Sequence, residues 1–171
     1  IYRQSAKSDI IVNAHKVNDG VYPEFKSKET DLFFIPTKTI EQTVSEISSL
    51  ITYRLETYAP LDVLKDLQIL TPVKKTELGT GELNATIQEI LNKKSIEKNQ
   101  VEHMGRIFRE KDKVMQIINN YDKKYSIEGK FFEGIYNGDI GYIKIIDNEN
   151  EKLYVEFDDE MDFTIVGSTE A

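Results

Sequence analysis

The sequence predicts a two-part fold: a parallel α/β portion over residues 1–100 and a small all-β, antiparallel portion over residues 101–171. Three observations carry this. Short apolar runs at 32–35 and 67–70 alternate with segments whose apolar residues recur every three or four positions, the helix, strand, helix, strand, helix order of a parallel sheet. Residues 93–100 are polar and charged and read as a linker. Beyond Gly105 only short, closely spaced strand signals remain.

The elements follow in order. Residues 5–18 read as a helix with Ile10, Ile11, Ala14 and Val17 on its core face and Gly20 as its stop. Residues 32–35 read as a strand ended by Pro36. Thr39 and Gln42 have the spacing of a capping box, and Ile40, Val44, Ile47, Ile51 and Leu55 make 40–56 amphipathic. A second strand at 67–70 stops at Thr71 and Pro72. A loop with Lys74, Lys75, Gly79 and Gly81 leads into a helix over 82–91. A strand feeding a polar loop and then a helix is the unit that presents ligands in open α/β sheets. Two strands alone cannot complete such a sheet, so further sequence is expected to supply the rest. In the second part, strands are expected at 113–119, 131–136, 140–146, 152–157 and 163–166. A hairpin turn is expected at Asn137 and Gly138, and strand 152–157 pairs back across 148–150. Five short strands in so few residues suggest a barrel of the Src-homology-3-like (SH3-like) kind.

Composition narrows the class. There is no cysteine, which excludes a disulfide framework or a thiolate metal site and fits a reducing, cytoplasmic setting. No apolar run has the length of a membrane span. The net charge of −8 is an unfavourable sign for nucleic-acid binding, but the charge is unevenly spread. Residues 131–171 hold 2 basic against 11 acidic residues, while 101–130 hold 7 against 5. Asp158, Asp159, Glu160 and Asp162 lack the spacing of a calcium loop and read as an edge strand guarded by charge. His15 and His103 have no nucleophile or metal set beside them. The chain opens on Ile1 rather than Met and reads as a piece of a longer protein.

Residues 1–15, 67–84, 108–122 and 134–141, taken together, resemble the exodeoxyribonuclease V alpha-chain (RecD-like) group of superfamily 1 DNA helicases. The resemblance implies that residues 1–100 are part of the second RecA-like motor domain and that 101–171 are a barrel inserted into it. It implies an ATP-dependent helicase of DNA repair and recombination, moving 5′ to 3′ on single-stranded DNA. Arg3, with Gln4 beside it, would reach the terminal phosphate of ATP, a role suited to a permanently charged, forked guanidinium. Thr71, Pro72, Lys74, Lys75 and Asn84 would face the DNA backbone. From the barrel, Arg109, Lys113 and Asn137 would add contacts. Lys111, Lys123 and Lys124 could track the strand, and Tyr121, Tyr125 and Tyr136 could stack on bases. Equally, these charges form a solvated face and the tyrosines pack half-buried. The family pattern has Gly at the place of Lys111, which puts the geometry of that turn in question.

ATP and Mg²⁺ are the cofactors the resemblance implies for the parent protein. Neither is expected on this chain alone, because no Gly-x-x-x-x-Gly-Lys-Ser/Thr loop is present. Expected partners are single-stranded DNA, the first motor domain of the same protein and, where the parent works in a nuclease complex, that complex's other subunits; no membrane is implied. A different class also fits: a stand-alone protein- or nucleic-acid-binding module without catalytic activity. A third is a purely structural lobe.

Overall fold

The structure is a computed structural model that describes residues 8–26, 28–127, 130–157 and 165–168. The chain divides into two compact units, 1–43 and 44–171.

In the first unit, α1 (Asp9–Asn18) begins at Ser8. Its orphan amide groups are taken up by a carboxylate from far along the chain. Asp31 Oδ1 accepts from the Asp9 and Ile10 N–H groups at 2.8 and 3.3 Å, and the Ser8 hydroxyl donates to Asp31 Oδ2 at 2.5 Å. An anion at a helix N-terminus satisfies both the free N–H groups and the dipole. Asn13 donates to Asp9 O and accepts from Glu24 N–H, and Lys26 pairs with Asp9 at 2.5 Å. The polar side of α1, with Asp9 and Asn13, is therefore the buried one. Of the face expected to be core, Ile10, Ala14 and Val17 are exposed and Ile11 is half-buried. Residues 32–35, expected as a strand, form none. Phe25 and Phe34 stack on each other at 4.8 Å between ring centroids.

Helical structure runs from 40 to 58 as α2 (Ile40–Ser49), a π-helical stretch (Leu50–Arg54) and α3 (Leu55–Tyr58). The unit boundary falls within α2. Thr39 Oγ1 accepts from Gln42 N–H at 3.2 Å, as a capping box requires, and Gln42 Oε1 reaches back to the N–H of Lys38 at 2.9 Å. Ile51 is fully buried, the anchor of the expected stripe.

The second unit continues with α4 (Val63–Asp66), capped by Asp62, then α5 (Thr80–Leu91). Residues 67–70 are not a strand. Every strand pairing among the described residues is antiparallel, so the parallel portion expected over 1–100 is absent from them. A parallel strand has no stability without neighbours on its ladder, and none is present here.

Eight strands follow among the described residues. β1 (Gln100–His103) and β2 (Arg106–Arg109) form a hairpin through Met104 and Gly105, both at positive φ, as a type I′ turn requires. β3 (Lys113–Met115), β6 (Ile140–Asp147), β7 (Lys152–Phe157) and β8 (Ile165–Ser168) form one sheet in the order β3-β6-β7-β8. β4 (Asn120–Ile127) and β5 (Lys130–Ile135) form a separate ribbon, with β4 lying against β8. The result is a set of small antiparallel sheets in the manner of an SH3-like barrel. The β6–β7 hairpin is the one expected from 148–150. The Asn137–Gly138 turn is tight, with Gly138 at φ 100°, yet it does not make a hairpin. β5 and β6 lie in different sheets, because the turn is held by the chain before β4. Gly138 N–H donates to Gln116 O, Gln116 N–H to Asp139 O, and Asn137 N–H to Asn119 Oδ1.

A bulge at Lys144 shifts the phase of β6, so Gly141, Ile143 and Ile146 all face inward. Ile143 and Ile146 are the most deeply buried large side chains, at 1% and 2% exposed. Gly141 is packed so closely that an added Cβ would sit 2.7 Å from Val155 Cγ1 and 2.8 Å from Glu156 O.

Candidate nucleic-acid interface

The lysine loop is built as a closed unit. Thr71 Oγ1 donates to Leu78 O at 2.8 Å, Gly79 N–H to Thr76 O at 2.7 Å, and Thr80 N–H to Val73 O at 3.2 Å. Gly79 is buried where the loop meets α5, with φ in the ordinary extended range. Its role is close approach: a Cβ there would lie 2.6 Å from the carbonyl oxygen of Lys74. The loop thus folds over the start of α5 and leaves Pro72, Lys74 and Lys75 exposed. Asn84, on the first turns of α5, is exposed as well. Two ammonium groups beside a helix N-terminus make a surface that favours anions. This is not a nucleotide phosphate loop, since no Gly-Lys-Ser/Thr follows its glycines, and the Gly79 and Thr80 amides are spent on its own closure.

The barrel residues behave differently. Arg109 is 4% exposed, and its guanidinium is committed to protein oxygens. It donates to Glu89 Oε1 at 2.5 Å, to Asn92 O at 3.0 Å and to Gln100 Oε1 at 3.3 Å. Lys113 is half-buried and donates to the carbonyls of Lys65 and Leu67 at 3.3 and 3.0 Å. Asn137 is exposed on its turn. Lys124 pairs loosely with Glu133 at 3.7 Å, and burial pulls the Lys123 ammonium below the usual lysine range. Tyr121 and Tyr136 meet edge to face at 6.0 Å and stay largely exposed, whereas Tyr125 stacks on Phe132 at 5.6 Å. Ile117 and Ile118 are exposed in the segment leading to Tyr121. Arg3, Gln4 and the acidic residues Asp158, Asp159, Glu160 and Asp162 lie outside the described residues. Among the described residues no His/Cys/Asp/Glu group has the arrangement of a metal site, and no helix is long and apolar enough to cross a membrane.

The sequence reading missed the polar hub at the end of α5. Asp112 is 9% exposed and accepts three hydrogen bonds: Arg109 N–H at 2.7 Å, Gln88 Nε2 at 2.5 Å and Asn92 Nδ2 at 2.7 Å. Asn92, also buried, donates to Glu110 O and accepts from the Lys98 ammonium. The turn that carries Asp112 is closed by Asp112 N–H donating to Arg109 O, with Lys111 at φ 74°. That is the backbone a glycine prefers. The one sequence signal for the hub was an asparagine directly after the apolar stripe of α5.

Residues 83–157 match the family model described as the ATP-dependent RecD-like DNA helicase SH3 domain. The match supports a relation to RecD-like helicases. It runs from α5 through β7, so the SH3 region takes in α5, the hub and the barrel strands up to the β6–β7 hairpin. The Asp112 network is then internal to the SH3 region, and the lysine loop stands immediately before it.

Proposed function

We propose that this chain is part of an ATP-dependent RecD-like DNA helicase and that the lysine loop is its grip on single-stranded DNA. The observation that carries the reading is the position of the loop: two exposed lysines, held over the start of α5, directly ahead of the SH3 region. Thr71, Pro72, Lys74, Lys75 and Asn84 form the contact surface, with Asn137 on the barrel side. Such a surface holds phosphates and reads no sequence. The residues ahead of the matched region belong to the second RecA-like motor domain, and the inserted barrel begins with α5. The whole protein moves 5′ to 3′ with ATP and Mg²⁺. Arg3 and Gln4 are the residues of this chain assigned to the terminal phosphate. The whole helicase works in the cytoplasm, in repair or recombination, alone or with nuclease-complex subunits.

Fluorescence anisotropy of a labelled single-stranded oligonucleotide, titrated from low to moderate salt, tests the reading. Weak binding with a steep salt dependence is expected. Lys74→Ala with Lys75→Ala should flatten log K against log salt by about 0.7 for each phosphate no longer neutralised. Binding that the double variant leaves unchanged would remove the loop from the interface. A second reading, a protein-binding module, is favoured by the exposed Ile117, Ile118, Tyr121 and Tyr136. It predicts no DNA binding at any salt.

A further inference from the structure

The turn at 109–113 is bonded to both ends of the segment that carries the lysine loop. Before the loop stands α4, a helix of four residues whose last carbonyls have no partner inside the helix. Lys113, on β3, supplies one from the barrel: its ammonium binds the carbonyls of Lys65 and Leu67, some 46 to 48 residues away in sequence. A cation at a helix C-terminus is favoured by the dipole as well as by the hydrogen bonds. After the loop stands α5, whose last turns are held by the same short turn. Asp112 takes Gln88 and Asn92, and Arg109 takes Glu89 and the Asn92 carbonyl. Between these anchors the loop is closed on itself by Thr71, Val73 and Gly79.

We propose that the 109–113 turn is a strut that fixes the lysine loop against the barrel, and that Lys113 is a positioning residue rather than a phosphate ligand. Lys113 sets where the loop starts, and the Asp112 and Arg109 bonds set where it ends. The loop and the SH3 region then move as one body. The proposal rests on the DNA-gripping role of the loop for its consequence, but not for its geometry.

The test uses the whole chain with Lys113→Met, which keeps the stem and removes the ammonium, and Lys113→Arg, which keeps a cation. The first readout is amide hydrogen exchange without DNA. In Lys113→Met the amides of Lys65, Asp66, Gly79 and Thr80 should exchange on the order of tenfold faster, the worth of one charge-assisted hydrogen bond. Amides of the β6–β7 hairpin should not change, and Lys113→Arg should restore protection. Faster exchange confined to Lys65 and Asp66 would make Lys113 a cap of α4 alone and overturn the proposal, as would no change at all. The second readout is the salt dependence of oligonucleotide binding. Lys113→Met should lower affinity with the salt slope intact, unlike Lys74→Ala. A slope lowered by about 0.7, the signature of one neutralised phosphate, would make Lys113 a direct phosphate ligand and overturn the proposal. If the wild-type chain binds no oligonucleotide, the DNA reading of the loop fails, and the exchange result alone decides the strut.

Discussion

Replacing Asp112 removes the acceptor at which α5 and the 109–113 turn meet. The carboxylate receives Arg109 N–H, Gln88 Nε2 and Asn92 Nδ2, all at 2.7 Å or less, in a site 9% exposed. In Asp112→Ala all three donors lose that partner. Gln88 keeps Ile107 O at 3.0 Å and Asn92 keeps Glu110 O at 2.9 Å, so their loss is partial. Counting each charge-assisted bond at about 1–1.5 kcal/mol net gives a destabilisation of about 3–4.5 kcal/mol. Asp112→Asn keeps the shape but turns one acceptor into a donor. With its oxygen toward Arg109 and Gln88, its amide nitrogen must face the amide nitrogen of Asn92, at a cost of about 1.5–3 kcal/mol. Urea unfolding followed by tyrosine near-ultraviolet circular dichroism measures both, with Lys124→Ala as a surface control expected within about 1 kcal/mol of wild type. The ordering Ala worse than Asn worse than control is the content of the prediction. If both Asp112 variants unfold within about 0.5 kcal/mol of wild type, a range usual for surface changes, the hub holds nothing and the strut loses its distal anchor.

Three further predictions follow. Lys111→Gly should stabilise the SH3 region by about 0.5–1 kcal/mol, the relief of a left-handed residue less the added freedom of glycine when unfolded, read as a rise in urea midpoint. Gly141→Ala should destabilise by about 1–3 kcal/mol, because the new Cβ meets Val155 and the Glu156 carbonyl, and the same unfolding curve measures it. In the first unit, the Lys26 ammonium holds the Asp9 carboxyl below its usual range, the Ser8 hydroxyl does so for Asp31, and the Lys16 ammonium for Glu24. Groups depressed on folding stabilise fully above their ordinary values and lose that contribution as pH falls through the lowered ones, so amide protection at 9–24 should decay below about pH 4 and not above it.

What was legible in the sequence is what is decided locally. The stripe through Ile51 and Leu55, the cap at Thr39, the stretch ending at Leu91 and the β6–β7 return across 148–150 each depend on residues within one or two turns, and each is present. The misreadings share the opposite property. An apolar run such as 67–70 is a strand only if a neighbour pairs with it, and that neighbour is not encoded in the run. The turn at Asn137 and Gly138 fixes a reversal of direction but not which strands lie side by side; Gln116 and Asn119, near β4, decide that. Met104 at φ 50° is not a residue that announces a type I′ turn, so the β1–β2 hairpin left no mark. The carboxylate that caps α1 comes from Asp31, beyond the helix altogether.

The candidate site divides along the same line. The exposure of Lys74 and Lys75 could be read from sequence because a loop between an apolar run and a helix start is exposed whichever fold surrounds it. Arg109 and Lys113 could not, since a positive charge looks alike in sequence whether it waits for a phosphate or already holds a carbonyl. Their partners, Glu89, Asn92, Lys65 and Leu67, lie 17 to 48 residues away. For a chain of this kind, the count of basic residues overstates the charge available to DNA. Two of the cations in the SH3 region that resemble backbone contacts, Arg109 and Lys113, are already occupied by protein oxygens.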